Sequence, residues 1–121
     1  MPSIAEDRDE IFQLMYRYNH TIDGGQPERW ADCFTDDGVL EAAGNAITGR
    51  DELVKFAASV HGMRHVVANP LIEVVGDAAT LEAYVLVYHG KDLATMGTYA
   101  DQLVRAPSGW KFVRRVFTPD N

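Results

Sequence analysis

Cysteine is almost missing from this chain: Cys33 is the only one among 121 residues. A lone thiol excludes an internal disulfide and leaves no thiolate set for a metal, so it reads as a small buried apolar residue. Basic residues are also scarce, with eleven Lys and Arg against eighteen Asp and Glu and a formal net charge of −7. Such a field repels nucleic acid and anionic membranes, and no Lys/Arg run offsets it, so neither is an expected partner. No apolar run approaches the roughly 18 residues that span a bilayer. The opening MPSIAEDRDE is acidic and polar, unlike a signal peptide, which makes the cytoplasm the expected location.

Several catalytic signatures are absent as well. There is no glycine-rich phosphate loop, no GxSxG elbow and no dinucleotide fingerprint, so hydride and phosphoryl transfer have no support. His65 and His89 with Asp23 or Glu41 would be the only metal-ligand set, and no HxH or HExxH spacing supports it. Neither a cofactor nor a metal is expected.

What is present reads as one domain over residues 1–121, of a length that supports a single core. Ile4, Ile11, Leu14 or Met15, Tyr18 and Ile22 recur at helical spacing, which predicts a first helix from about Ala5 to Ile22. Ser3 is its candidate N-cap, and Gly24-Gly25 is its stop. Pro27 opens a short second helix, PERWADCF, with Trp30 and Phe34 on one side. TDDG reads as a turn, and VLEAA with AIT as a short hairpin around Gly44-Asn45. GRDELVKFAASVHG predicts a third helix with Leu53, Phe56, Ala57 and Val60 as its buried stripe. From Met63 onward the period becomes that of strands. Pro70 demands an edge, a bend or a bulge; Gly76-Asp77 and APSG mark tight turns. Helices followed by long antiparallel strands predict an α+β domain with helices on one face of a curved sheet, enclosing a pocket.

The helix end YNHTIDGG breaks a local rule. An acid in the last turn faces the negative end of the helix dipole, at a cost of roughly 0.3–1 kcal/mol. Downstream, strand alternation puts His65, Val67 and Asn69 on one face. A histidine among apolar strand residues is ordinarily structural, Asp23 is ordinarily a solvated helix end, and Tyr18 is ordinarily a core aromatic. Together they suggest more: if Asp23 receives the Nδ1–H of His65, it fixes the tautomer and supports the outward nitrogen as a general base. Tyr18, five positions earlier, would then offer a hydroxyl to a substrate carbonyl. His89 shares a strand face with Ala79, Leu81, Ala83, Val85 and Val87, and stands either at the pocket mouth or at a solvated strand end. Trp30, Phe56, Val67, Asn69, Tyr99 and His89 are the expected substrate-lining set. His20 and His61 read as surface residues.

The order and spacing of YNHTIDGGQPERWADCFTDDGVLE, ITGRDELVKF, MRHVVANPLIEVVGDAAT and GTYADQLVRAPSGWKFVRRVF resemble the SnoaL-like branch of the nuclear transport factor 2-like superfamily. The resemblance covers nearly the whole chain. It implies the cone-shaped α+β barrel of scytalone dehydratase and ketosteroid isomerase. Several dehydratases and a dehydrochlorinase of that group pair an aspartate at the first helix end with a strand histidine, at positions matching Asp23 and His65. A bile-acid dehydratase branch adds a tyrosine that matches Tyr18, and its second acid is replaced here by Val87. A second histidine in scytalone dehydratase falls near His89. The resemblance therefore implies a cofactor-independent lyase, a dehydratase of a hydrophobic cyclic or polycyclic molecule. The alternatives are an isomerase of the ketosteroid type, or a non-catalytic ligand-binding or accessory protein. It also implies a homo-oligomer, a dimer or trimer; Tyr84, Leu86 and Tyr88 make the outer sheet face too apolar to be fully solvated.

Overall fold

The computed structural model describes residues 2–121. Helix α1 runs Ile4–Asp23 and α2 runs Pro27–Ala31. Strands β1 (Phe34–Ala42) and β2 (Asn45–Thr48) precede α3 (Arg50–Ser59). The rest is strand: β3 (Met63–Val75), β4 (Ala78–His89), β5 (Asp92–Ala106) and β6 (Gly109–Pro119).

The six strands form one sheet in the order β2-β1-β6-β5-β4-β3. Every pairing is antiparallel except β1 with β6. The chain starts at one edge with the β1–β2 hairpin, crosses under α3 to the far edge, and returns strand by strand until β6 meets β1. The sheet curves without closing. The helices cover its concave side, and this settles the α+β expectation.

Local chemistry explains the elements. Ser3 and Glu6 form a reciprocal capping box, which satisfies two of the otherwise orphaned N-terminal amides of α1. Ile11, Leu14, Met15, Tyr18 and Ile22 are its buried stripe. At the other end a side chain at Gly24 would stand 2.7 Å from the His20 carbonyl oxygen, and Gly25 takes φ +70, so the glycine pair is a steric requirement.

Two expectations need correction. PERWADCF is helical only through Ala31, and Phe34 already belongs to β1. TDDG is not a free turn but an irregular stretch inside β1: its pairing with β6 steps from Phe34↔Phe112 to Val39↔Arg114. The residues between bulge out, folding Gly38 so tightly that a side chain there would stand 2.8 Å from Phe34 Cβ.

Pro70 produces a bulge on the edge strand β3, where pairing jumps from Ala68↔Tyr84 to Leu71↔Glu82. One extra residue reverses the alternation, so Met63, His65 and Val67 face inward before it and Ile72 and Val74 after it. Asn69, at φ 55, sits on the bulge itself.

The core is aromatic. Tyr18 packs against Trp30, Phe34, Tyr99 and Phe112 with ring centroids 5.4–6.2 Å apart. On the convex side Val66, Leu71, Val75 and Tyr84 remain exposed. Among the described residues no helix is long and apolar enough to cross a membrane.

Candidate active site

Asp23 is the last residue of α1, and His65 is the third of β3, 42 positions on. The helix packs across the start of that strand and brings them into contact. His65 Nδ1 lies 2.6 Å from Asp23 Oδ1, and the His65 backbone N–H donates to Asp23 Oδ2 at 2.9 Å. A carboxylate can only accept, so Nδ1 carries a proton, and the lone pair of the neutral ring would be on Nε2. Both side chains retain 13% of their surface, enough to react and too little to wander.

Each charge-assisted hydrogen bond contributes about 1.5–3 kcal/mol. Two of them outweigh the roughly 0.3–1 kcal/mol cost of an acid at the wrong end of a helix. The Asp23 carboxylate holds the His65 backbone amide as well as Nδ1, so one side chain fixes both position and tautomer.

His65 borders an inner cavity of about 180 Å³. Its walls are mainly apolar, with Phe56, Val60, Val87 and Phe117, and Tyr18, Thr95 and Tyr99 are the hydroxyl-bearing residues of the lining. Burial pushes the Tyr18 phenol well above its ordinary value, with Tyr99 adding to the shift and Arg115 opposing it. Burial raises Tyr99 too, against the same Arg115 charge. Both phenols therefore stay protonated at neutral pH and are hydrogen-bond donors. On its other side the dyad borders a recess of about 430 Å³ with Asn19, His20 and Arg64 in its wall.

Beneath the tyrosines lies a pair that alternation did not reveal. Arg115 Nε and Nη2 donate to Asp101 at 2.9 and 3.0 Å, with both side chains fully buried. The guanidinium carbon stands 3.5 Å from the Tyr99 ring centroid and 4.5 Å from that of Tyr18. Burial works against the Arg115 charge, and Asp101, Tyr99 and Tyr18 together more than offset it. Asp101 was detectable in principle, as a charge on the inward face between Tyr99 and Leu103. Arg115 was not. Trp110 and Phe112 point inward, but pairing with β5 skips Val113, which turns Arg115 rather than Arg114 into the core.

The other expected residues divide. Tyr18, Phe56 and Tyr99 stand in the cavity wall with His65, and Asp23 stands behind it. Trp30 is fully buried, its ring tilted against that of Phe56 with centroids 5.8 Å apart, and Val67 is half-buried against the core without reaching the lining. Asn69 is turned away by its bulge and borders a separate depression with Leu71 and Glu82. His89 is exposed at the end of β4 beside Gly62, which is the solvated alternative. His20 and His61 are exposed. Among the described residues no three His, Cys, Asp or Glu side chains gather in a group able to hold a metal ion.

A SnoaL-like domain model matches residues 3–116. The chain belongs to the SnoaL-like family. Solved structures that share this fold are described as NTF2-like and cystatin-like. This SnoaL-like protein is 33% identical to an uncharacterized Mycobacterium tuberculosis protein over 98% of its own length and 90% of the relative's. A solved structure of another M. tuberculosis protein of unknown function superposes with a TM-score of 0.90 at 32% identity, covering 94% of this chain and 72% of that one. A candidate scytalone dehydratase from Novosphingobium aromaticivorans gives 0.83 at 26% identity, covering 94% and 84%.

Proposed function

We propose that this SnoaL-like protein is a cofactor-independent lyase that dehydrates a hydroxylated cyclic carbonyl compound. The observation that carries the reading is the 2.6 Å contact of Asp23 with His65 at the wall of an apolar cavity that also holds two neutral tyrosines. An accessory role would leave the two residues beyond hydrogen-bond reach, and this contact counts against it.

In this reading His65 Nε2 removes the proton alpha to the carbonyl. The C–H electron pair moves into the carbonyl as an enolate, whose oxygen accepts a hydrogen bond from Tyr18. As the enolate collapses to the double bond, the β C–O bond breaks. The His65 imidazolium returns its proton to the departing oxygen, and water leaves. Asp23 holds the ring throughout and supports its transient positive charge. The buried Arg115 strengthens both phenols as donors, because a cation near the ring stabilises developing negative charge on oxygen.

The cavity volume favours a small substrate. About 180 Å³ lies below the roughly 300–1,000 Å³ of drug-sized sites and near the ~150 Å³ that admits benzene. One ring matches that space better than the polycyclic skeleton considered from the sequence. The candidate scytalone dehydratase among the neighbours points to the same reaction class.

The test is turnover of cyclic β-hydroxy ketones followed by release of the enone. His65→Asn should lower kcat by about 10²- to 10⁴-fold with an unchanged melting curve. Normal turnover by that variant would sink the mechanism, and conversion of a cyclic β,γ-unsaturated ketone to its conjugated isomer with no loss of water would make the protein an isomerase.

A further inference from the structure

The largest of the clefts described lies beside α1, between α2 and the start of β6, with a volume of about 760 Å³. Arg17, Arg29 and Lys111 all stand in its wall. Lys111 lies 82 positions beyond Arg29, and the fold brings it to the two arginines on a chain whose net charge is −7. Among the described residues none of the three makes an ion pair, although acids outnumber bases by eighteen to eleven. The one acid in the wall, Asp32, is already taken by Arg50 Nη1 at 2.7 Å.

Three like charges around one concavity repel each other unless an anion joins them. Their field reaches the cleft floor: burial pushes the Cys33 thiol up to about 11, and the Arg17 and Lys111 charges both oppose that rise. The floor also offers Leu14, Cys33 and Trp110, and the rim offers the polar side chains of Gln26 and Ser108.

We infer that this cleft is a binding site for an organic phosphate, a small molecule whose phosphate sits among Arg17, Arg29 and Lys111 and whose body lies along the floor. Guanidinium forks match phosphate oxygens bidentately, and an ammonium adds a mobile third charge. A bounded cleft on an otherwise acidic surface suits a small molecule rather than a nucleic acid, whose extended backbone the remaining charge would repel. The site adjoins the recess beside the dyad only through His20, so it stands or falls independently of the dehydratase reading.

The test is calorimetric titration at low salt with phenyl phosphate, phenol and inorganic phosphate, using the wild type, the Arg17→Gln/Lys111→Gln double variant and Arg8→Gln. Phenyl phosphate should bind, phenol should not, and inorganic phosphate should bind more weakly than the ester. The double variant should lose about tenfold or more in affinity with an unchanged melt, while Arg8→Gln, elsewhere on α1, should behave as wild type. Raising the salt should weaken binding. Vesicles containing phosphatidic acid should leave the protein in the supernatant; sedimentation with them would assign the cleft to a lipid headgroup and overturn the small-molecule assignment. Failure of phenyl phosphate to bind at millimolar concentration, or equal affinity in the double variant, would overturn the site. Equal affinity for inorganic phosphate would overturn the organic part.

Discussion

The two ends of α1 each carry a buried or half-buried aspartate that grips the sheet, and they differ in what they leave over. At the N-terminal end Asp7 accepts from Arg105 Nη1 and Nη2 at 2.6 and 2.9 Å and from Trp110 Nε1 at 3.1 Å. Its carboxylate faces the positive end of the helix dipole, and Arg105 is further held by Asp77 at 2.9 Å and lies over the Trp110 ring. Glu10 accepts from the Trp110 backbone amide beside it. At the C-terminal end Asp23 opposes the dipole, and its partner His65 keeps one ring nitrogen without a protein partner at a cavity wall. The first acid sits where local rules favour it and completes a closed network. The second sits where they disfavour it and supports a group left open to chemistry. The contrast separates an acid that fastens the helix from one that serves a site.

Exchanging the carboxylate at each end should break the comparison into its parts. Asp23→Asn should have the largest effect, lowering turnover by about 10²- to 10⁴-fold in a steady-state assay, because an amide can donate to Nδ1 and select the wrong tautomer. Retained turnover would make Asp23 a second fastener.

Asp7→Asn should leave turnover within about twofold of wild type, the ordinary scatter for a change remote from the chemistry, while lowering the melting midpoint by roughly 5 °C or more. It should also blunt acid sensitivity. The hydrogen bonds from Arg105 hold the Asp7 carboxyl below its ordinary value, against the opposing effect of burial. A lowered folded-state value means that the unfolded chain takes up the proton first. The contribution of Asp7 is therefore full above the ordinary aspartate value near ~3.9 and is lost as pH falls through the folded-state value. Circular dichroism across that range should show a shallower acid transition in the variant.

Ser3→Ala should have the smallest effect. Loss of one side of the capping box should cost about 0.5–2 kcal/mol by thermal denaturation, with turnover unchanged. A change in kcat there would mean that the two helix ends are coupled.

Much of the fold was legible because local chemistry and global packing agree. The α1 stripe, its serine cap and its glycine stop needed nothing beyond the sequence, and neither did the strands running inward through Ala79, Leu81, Ala83 and Val85. Legibility failed wherever an extra residue entered a strand. Alternation put Asn69 beside His65, and the bulge between Ala68 and Leu71 moved it out. Strict alternation from Phe112 would turn Arg114 inward, and the irregularity at Val113 puts Arg115 in the core instead. A one-residue shift exchanges the faces of everything beyond it, and nothing in a single strand marks where its partner will slip. The site followed the same division. Tyr18 and Asp23 drew notice at a crowded helix end that breaks a dipole rule, and the family resemblance supported the pairing of Asp23 with His65 that the residues had suggested.

By itself, then, the sequence determined the helices, the run of strands and tight turns after Met63 and the oddity of Asp23, because caps, periods and turn residues act over a few positions. Only the tertiary structure decided which aspartate meets a histidine and which meets an arginine. It alone decided that Arg115 stands beneath two tyrosines, and that Arg17, Arg29 and Lys111 share one cleft. Each of these joins residues from a dozen to nearly a hundred positions apart, and their distances depend on where α1 lies across a curved sheet and where the strands bulge.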